Sequence, residues 1–264
     1  MELVDIQKTA DERKVALDQV GVCDLKYPIT VLDRSHGTQQ TVATVALSVS
    51  LPPEVKGTHM SRFIVIMNSY RGEITMTAIP KILRDLNLKL EATAAQVSMT
   101  FPYFIEKAAP VSGQKGWLDC ECTFHGESGP EGEHFRMVVK VPVASLCPCS
   151  KAISDYGAHN QRGEVRMDVT LSSANDKLPK LWIEELFEIA ESSASAPLYP
   201  LLKRPDERFV TMQAYENPAF VEDIARNVAV KLREDERISS FEVKVTNFES
   251  IHAHNAFAVA RSSR

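Results

Sequence analysis

Residues 41–51 read TVATVALSVSL, and their alternation decides the fold. Val45, Leu47, Val49 and Leu51 fall on one side of an extended chain, and Thr44, Ala46, Ser48 and Ser50 fall on the other. A strand so patterned buries one face and leaves the other wet. The same alternation recurs at 116–125, where Leu118, Cys120, Cys122 and Phe124 share one face and Asp119, Glu121 and Thr123 the other. This is the half-buried, antiparallel pattern, and it assigns Cys120 and Cys122 to core packing. Further strands are predicted at 62–68, 95–106, 135–146, 163–172, 240–248 and 252–261.

Helices fall between these strands. One starts near Thr77 as N-cap, with Pro80 in its first turn and Ile79, Ile82, Leu83, Leu86 and Leu90 on one face. Two more are predicted at about 179–193 and 218–234, the second opened by Asn217 as N-cap and Pro218 at the first helical position. The turn GESGPEG at 126–132 separates two similar runs of elements. The expectation is an α+β protein of two tandem modules, residues 1–130 and 131–264, each an antiparallel sheet with helices on one face. The duplication lies in the order of elements, and no residue-level repeat accompanies it.

Composition bounds the function. A chain of 264 residues, 44% hydrophobic and 25% charged, builds a sizeable core in one or two domains. It has no apolar run of about 18 residues, and its first residues, MELVDIQKTADERK, lack a basic segment followed by an apolar one. Neither secretion nor membrane insertion is expected. The five cysteines, at 23, 120, 122, 147 and 149, are an odd number and suit reduced thiols in a cytoplasm. A net charge of −5 argues against nucleic-acid binding. An anionic ligand would need local cations, such as Lys203-Arg204, Arg208 or the stretch His59-Met60-Ser61-Arg62.

The densest chemical signal is SLCPCSKAISDYGAHNQRG at 145–163. Pro148 fixes the backbone between Cys147 and Cys149, and His159 follows after a short loop. Sulfur with imidazole is a ligand set for zinc or ferrous iron, although two small packed residues and a surface histidine would read alike. His252 and His254, if extended, point the same way. Glu207 follows a turn led by Pro205 and precedes a strand-like Phe209-Val210-Thr211. Glu222 lies early in a helix, where an acid complements the helix dipole. It is also placed to accept the adjacent N1 hydrogen and amine of a guanine. Walker-type and G-x-G-x-x-G phosphate motifs are absent from the sequence.

Taken together, VCDLKYPI near the start, GTHMSRF at 57–63, LCPCSKAISDYGAHNQR at 146–162, LYPLLKRPDERFVT at 198–211, AYENPAFVEDIARN at 214–227 and the late SIHAHNAFA resemble the type IB GTP cyclohydrolase I family. The likeness spans nearly the whole chain. It implies a bimodular tunnelling fold in a homotetramer with active sites at subunit interfaces. It also implies conversion of GTP and water to 7,8-dihydroneopterin triphosphate and formate by metal-activated water attack at guanine C8, the first step of pterin and tetrahydrofolate biosynthesis. By this resemblance Cys147, His159, Glu207 and His252 hold one divalent metal, Zn2+, Mn2+ or Fe2+. Glu222 anchors guanine, Cys149 and His254 transfer protons, and His59, Ser61 and Arg62 are candidates for triphosphate contacts from a neighbouring subunit. Two rivals remain at this point. One is a nitrile reductase of the same fold using a cysteine nucleophile and NADPH, which would not need the metal set. The other is a thiol redox protein cycling Cys147 and Cys149, which would not need Glu222.

Overall fold

The computed structural model describes residues 5–70, 75–172 and 179–263. Its elements run, in chain order, β1 (Leu17–Asp33), β2 (Gly37–Leu51), α1 (Met60–Ser69), α2 (Ile79–Leu90), β3 (Ala95–Ala108), β4 (Lys115–Gly129), β5 (Gly132–Leu146), α3 (Pro148–Ile153), β6 (Asn160–Leu171), α4 (Ile183–Glu191), β7 (Ala196–Pro197), α5 (Arg204–Glu216), α6 (Val221–Glu234), β8 (Ile238–Asn247) and β9 (Ala256–Ser263). Strands hydrogen-bond in the order β1-β2-β3-β4-β5-β6-β8-β9, with β7 on β5. Two compact units are present, Met1–Phe101 with Thr123–Arg136, and Pro102–Cys122 with Met137–Arg264.

In the first unit β2 pairs antiparallel with β1 and β3. The inward residues predicted from the alternation, Val45, Leu47, Val49 and Leu51, are all buried. They meet the apolar stripe of α2, in which Ile79, Ile82, Leu83 and Leu86 are buried, and each fully covered Ile or Leu contributes about 2 kcal/mol. Pro80 sits in the first turn as expected, but the N-cap is Ala78, because a 3-10 turn at Met76–Ala78 precedes the helix. The strand predicted at 62–68 is instead the helix α1. Phe63, Ile66 and Met67 are its buried residues, at helical rather than alternate spacing, and Val65 stays 64% exposed. A short apolar run fits both periods, and packing chose the helix. Tyr27 of β1 donates its hydroxyl to Met67 O at 3.1 Å, closing the end of α1 onto the sheet.

The predicted turn at 126–132 narrows to Pro130 and Glu131, since β4 runs to Gly129 and β5 restarts at Gly132, whose φ is 109°. The long first strand β1 had no counterpart among the predicted elements.

In the second unit β8 pairs antiparallel with both β6 and β9. Their apolar face, including Val165, Met167, Val169, Phe241, Val243 and Val245, is buried. The buried stripe of α6 comprises Val221, Ile224, Ala225, Val228, Ala229 and Leu232, and this helix packs on β8 and β9. Its N-cap is Phe220, with Asp223 accepting the Phe220 N–H at 3.1 Å, so Asn217 and Pro218 do not open it. They end α5 instead. Asn217 is the C-cap of α5 and donates Nδ2 to Ala194 O at 2.9 Å, and proline after a C-cap stops a helix.

Candidate active site

The site grows from the end of β5. Cys147 caps α3, a short helix where an irregular loop was predicted, and Pro148 occupies its first turn. Ser150 knits Cys147 to His159. Its N–H donates to Cys147 Sγ at 3.4 Å, its hydroxyl donates to Cys147 O at 3.2 Å, and that hydroxyl accepts the His159 N–H at 3.2 Å. Cys147 N in turn donates to His159 O at 3.1 Å. The backbones of Cys147 and His159 are therefore braced against each other.

His252 approaches His159 edge-on, with ring centroids 6.5 Å apart, and His254 stacks on His252 at 5.1 Å and 18°. The strand predicted at 252–261 begins only at Ala256, so both histidines lie in the bend before it rather than on an extended chain. The bend brings the rings together even so.

A buried polar junction holds these segments. Ser145, 1% exposed, donates its hydroxyl to Ala219 O at 3.1 Å and accepts Asn247 Nδ2 at 3.0 Å. Ala219 N donates to Leu146 O at 3.0 Å. The residue before Cys147, the loop leading to Glu222 and the strand end leading to His252 are thus tied at one point. Gly163 is required there, because a Cβ would stand 2.7 Å from Asn247 Oδ1. Glu222 itself is exposed in the first turn of α6.

Glu207 was expected in a turn before a strand, and the structure corrects this. Residues 204–216 are helical, and Phe209, Val210 and Thr211 lie inside α5. Val210 and Ala214 pack with Leu146 and Ala158, the residues immediately before Cys147 and His159. Glu207 lies three residues before Val210 on the same helix face, with its side chain exposed. Its neighbour Asp206 anchors the turn. Fully buried, Asp206 accepts Val111 N–H and Ser112 N–H at 2.8 Å, Ser112 Oγ–H at 2.7 Å and Lys203 N–H at 2.8 Å.

Burial would raise the Asp206 carboxyl, but these hydrogen bonds, the Ser112 hydroxyl foremost, outweigh it and hold the pKa below the ordinary aspartate value of 3.8. A depressed carboxylate stabilises the fold fully above its unfolded pKa, and the contribution declines below that value and is lost as the pH falls through the folded pKa. Asp206→Asn is therefore expected to lower the melting midpoint by roughly 5 °C at neutral pH. The gap to wild type closes as thermal scans are taken below pH 4. A gap that widens in acid would refute the assignment.

The remaining predicted residues are placed as follows. Cys149 is exposed on α3 beside Cys147, and both thiols are free. His59, Ser61 and Arg62 belong to the first unit, at the start of α1. His59 Nε2 meets Asp5 Oδ2 at 3.1 Å, and Arg62 donates to Lys89 O at 3.1 Å. Arg208 lines a groove of about 480 Å³ on another face of α5, with Phe209, Met212 and Gln213. Sequence reasoning passed over Ser145, Ser150, Gln161, Asp206 and Asn247, which position the site without carrying a chemical signature of their own.

The rings of His159 and His252 adjoin and Cys147 is bonded to His159 through the backbone, but among the described residues no three His, Cys, Asp or Glu side chains are grouped closely enough to hold a metal ion. The donor chemistry nevertheless fits one divalent ion. The set offers a thiol and two adjoining imidazoles, and Gln161 Oε1 lies 2.9 Å from His159 Nδ1, which leaves Nε2 for a ligand.

The fold is shared with solved structures of distant sequence. Uricase from Arthrobacter globiformis superposes with a TM-score of 0.52 at 8% identity, covering 94% of this chain and 93% of its own. A highly active mutant of Bacillus sp. TB-90 urate oxidase gives 0.52 at 8% identity, covering 94% of this chain and all of its own. This α+β antiparallel architecture is the tunnelling fold. Sequence comparison is more specific. Residues 3–258 match the family model described as type I GTP cyclohydrolase folE2. The protein named GTP cyclohydrolase FolE2 from Thermosipho melanesiensis is 48% identical over 98% of both chains. Its namesake from Nitrosomonas eutropha is 49% identical over 97% of this chain and 94% of its own. On that extent and identity, the chain belongs to the type I GTP cyclohydrolase FolE2 family.

Proposed function

We propose that the protein is a GTP cyclohydrolase I, converting GTP and water to 7,8-dihydroneopterin triphosphate and formate at the opening of tetrahydrofolate biosynthesis. One observation supports this reading beyond family membership. Cys147, the His159–His252 ring pair and the helix bearing Glu222 are tied to the same strand end through Ser145 and Leu146. Cys147, His159, His252 and Glu207 would hold one divalent ion, Zn2+, Mn2+ or Fe2+, a mixed set of soft and hard donors that suits all three. When bound, the ion supplies Lewis acidity that makes water nucleophilic near neutral pH. Glu222 accepts the guanine N1–H and exocyclic amine and fixes C8 before the cluster. Cys149 and His254 move protons, His254 from its stack on His252. His59, Ser61 and Arg62 reach the triphosphate of a neighbouring protomer's site in a homotetramer with interfacial active sites. Residues 1–130 and 131–264 are its two modules. Among the described residues no helix is long and apolar enough to cross a membrane. The proposed location is the cytoplasm, where the five free cysteines stay reduced.

The test is anaerobic incubation of metal-reconstituted protein with GTP, following formate and, after oxidation, pterin fluorescence. Both are expected with divalent metal and neither after chelation. A folded protein that turns over GTP with none of the three ions would overturn the reading.

A further inference from the structure

We propose that Gln161 is a positioning residue for metal binding, its carboxamide oxygen holding His159 as the Nδ1–H tautomer with the Nε2 lone pair free for the ion. The inference rests on the metal-site reading above. A neutral imidazole has one N–H and one lone pair, and only the lone-pair nitrogen ligates. Gln161 Oε1 stands 2.9 Å from His159 Nδ1. A carbonyl oxygen only accepts, so the shared proton resides on Nδ1 and the lone pair on Nε2. The opposite amide orientation would donate to Nδ1, force the proton onto Nε2 and block the ligand.

The geometry is preset by the strand entry. His159 immediately precedes β6, and Gln161, two residues on, lies on the same side of the extended chain. The backbone here is anchored by Phe248 N–H donating to Arg162 O at 2.9 Å and by Gly163 pairing with Asn247 in β8. Both side chains are half-buried, which limits competition from water. Ser250 Oγ lies 3.5 Å from the same Nδ1 on an exposed residue, a longer and weaker contact than that of Gln161. Ligating histidines are commonly oriented in this way, and loss of the orienting partner typically costs roughly 10- to 100-fold in metal affinity.

The experiment titrates metal-free protein with Zn2+ against a chromophoric chelator for wild type, Gln161→Leu, Gln161→Glu and His159→Ala. In parallel, 15N NMR of the metal-free wild type and Gln161→Leu reads the His159 tautomer. Gln161→Leu is expected to weaken Zn2+ binding roughly 10- to 100-fold while melting like wild type, and Gln161→Glu, which keeps an acceptor oxygen, is expected to restore the affinity. The wild-type ring should show the Nδ1–H form, and Gln161→Leu a mixture. Undiminished Zn2+ affinity in Gln161→Leu, or a wild-type ring protonated on Nε2, overturns the proposal. Should Gln161→Leu fail to fold, the wild-type tautomer decides. If His159→Ala keeps full affinity, the metal-site reading itself falls and the proposal falls with it.

Discussion

Alanine at Cys147 is expected to leave a folded protein whose formate release from GTP falls at least about 1000-fold, a barrier increase of about 4 kcal/mol. The fold survives because the bonds that brace this corner run through backbone atoms. Ser150 Oγ still donates to the residue-147 carbonyl, and the residue-147 N–H still reaches His159 O. What is lost structurally is the Ser150 N–H contact to Sγ, an N-cap interaction of roughly 1 kcal/mol against a stability of about 5–15 kcal/mol. What is lost chemically is the one thiol donor among the four proposed ligands. Circular dichroism should therefore match wild type and the melting midpoint should fall by only about 2–4 °C, while metal content and formate release both collapse. A variant that keeps its metal and more than a tenth of its activity would remove Cys147 from the ligand set.

Glu222→Gln is expected to act on the substrate instead. Guanine presents two adjacent donors, N1–H and the amine, and an ionised carboxylate is acceptor-only, so it takes both. The amide replaces one acceptor with an NH2 group that faces a donor. The expected cost is about 3 kcal/mol, a roughly 100-fold rise in KM for GTP, because an unmatched polar contact in a recognition site is expensive. Glu222 is exposed on α6, so folding should change little. Metal content should stay at the wild-type level, which separates this variant from the Cys147 one. Inosine triphosphate, which lacks the amine, sharpens the test. Wild type should discriminate strongly against it, and Glu222→Gln should lose most of that preference. An unchanged KM and unchanged discrimination would place the guanine anchor elsewhere.

The strands were legible wherever alternation was clean, as in β2 and β4, because a sheet face forces a two-residue period on every strand it half-buries. Helix α2 was legible from the spacing of Ile79, Ile82, Leu83 and Leu86. Three helices were misread: the short α3 as a loop, and α1 and α5 for different reasons. In α1 the β-branched run Ile64-Val65-Ile66 favours a strand locally, yet covering Phe63, Ile66 and Met67 outweighs that preference. In α5 the start signal was hidden, since Asp206 serves as the third helical residue reaching back to Lys203 N, while Pro205 looked like a turn former. The error mattered, because a helix puts Val210 and Ala214 against Leu146 and Ala158 with Glu207 on the same helix face, and a turn would not.

What the sequence determined by itself is the chemistry and the local grammar. A C-P-C run with a following histidine, a paired-histidine segment and two contextual acids supplied the residues proposed as reacting groups, and the order of alternating and helical segments named an α+β antiparallel protein. Tertiary structure alone decided convergence. Ser145 and Asn247 join three chain segments across 102 residues of sequence, Asp206 reaches back 94 residues to Ser112, and His252 meets His159 from a bend rather than a strand. Such contacts leave no periodicity, because a single buried hydroxyl or amide is a common residue at an ordinary position. Its meaning arises only when folding removes water and leaves it one polar partner.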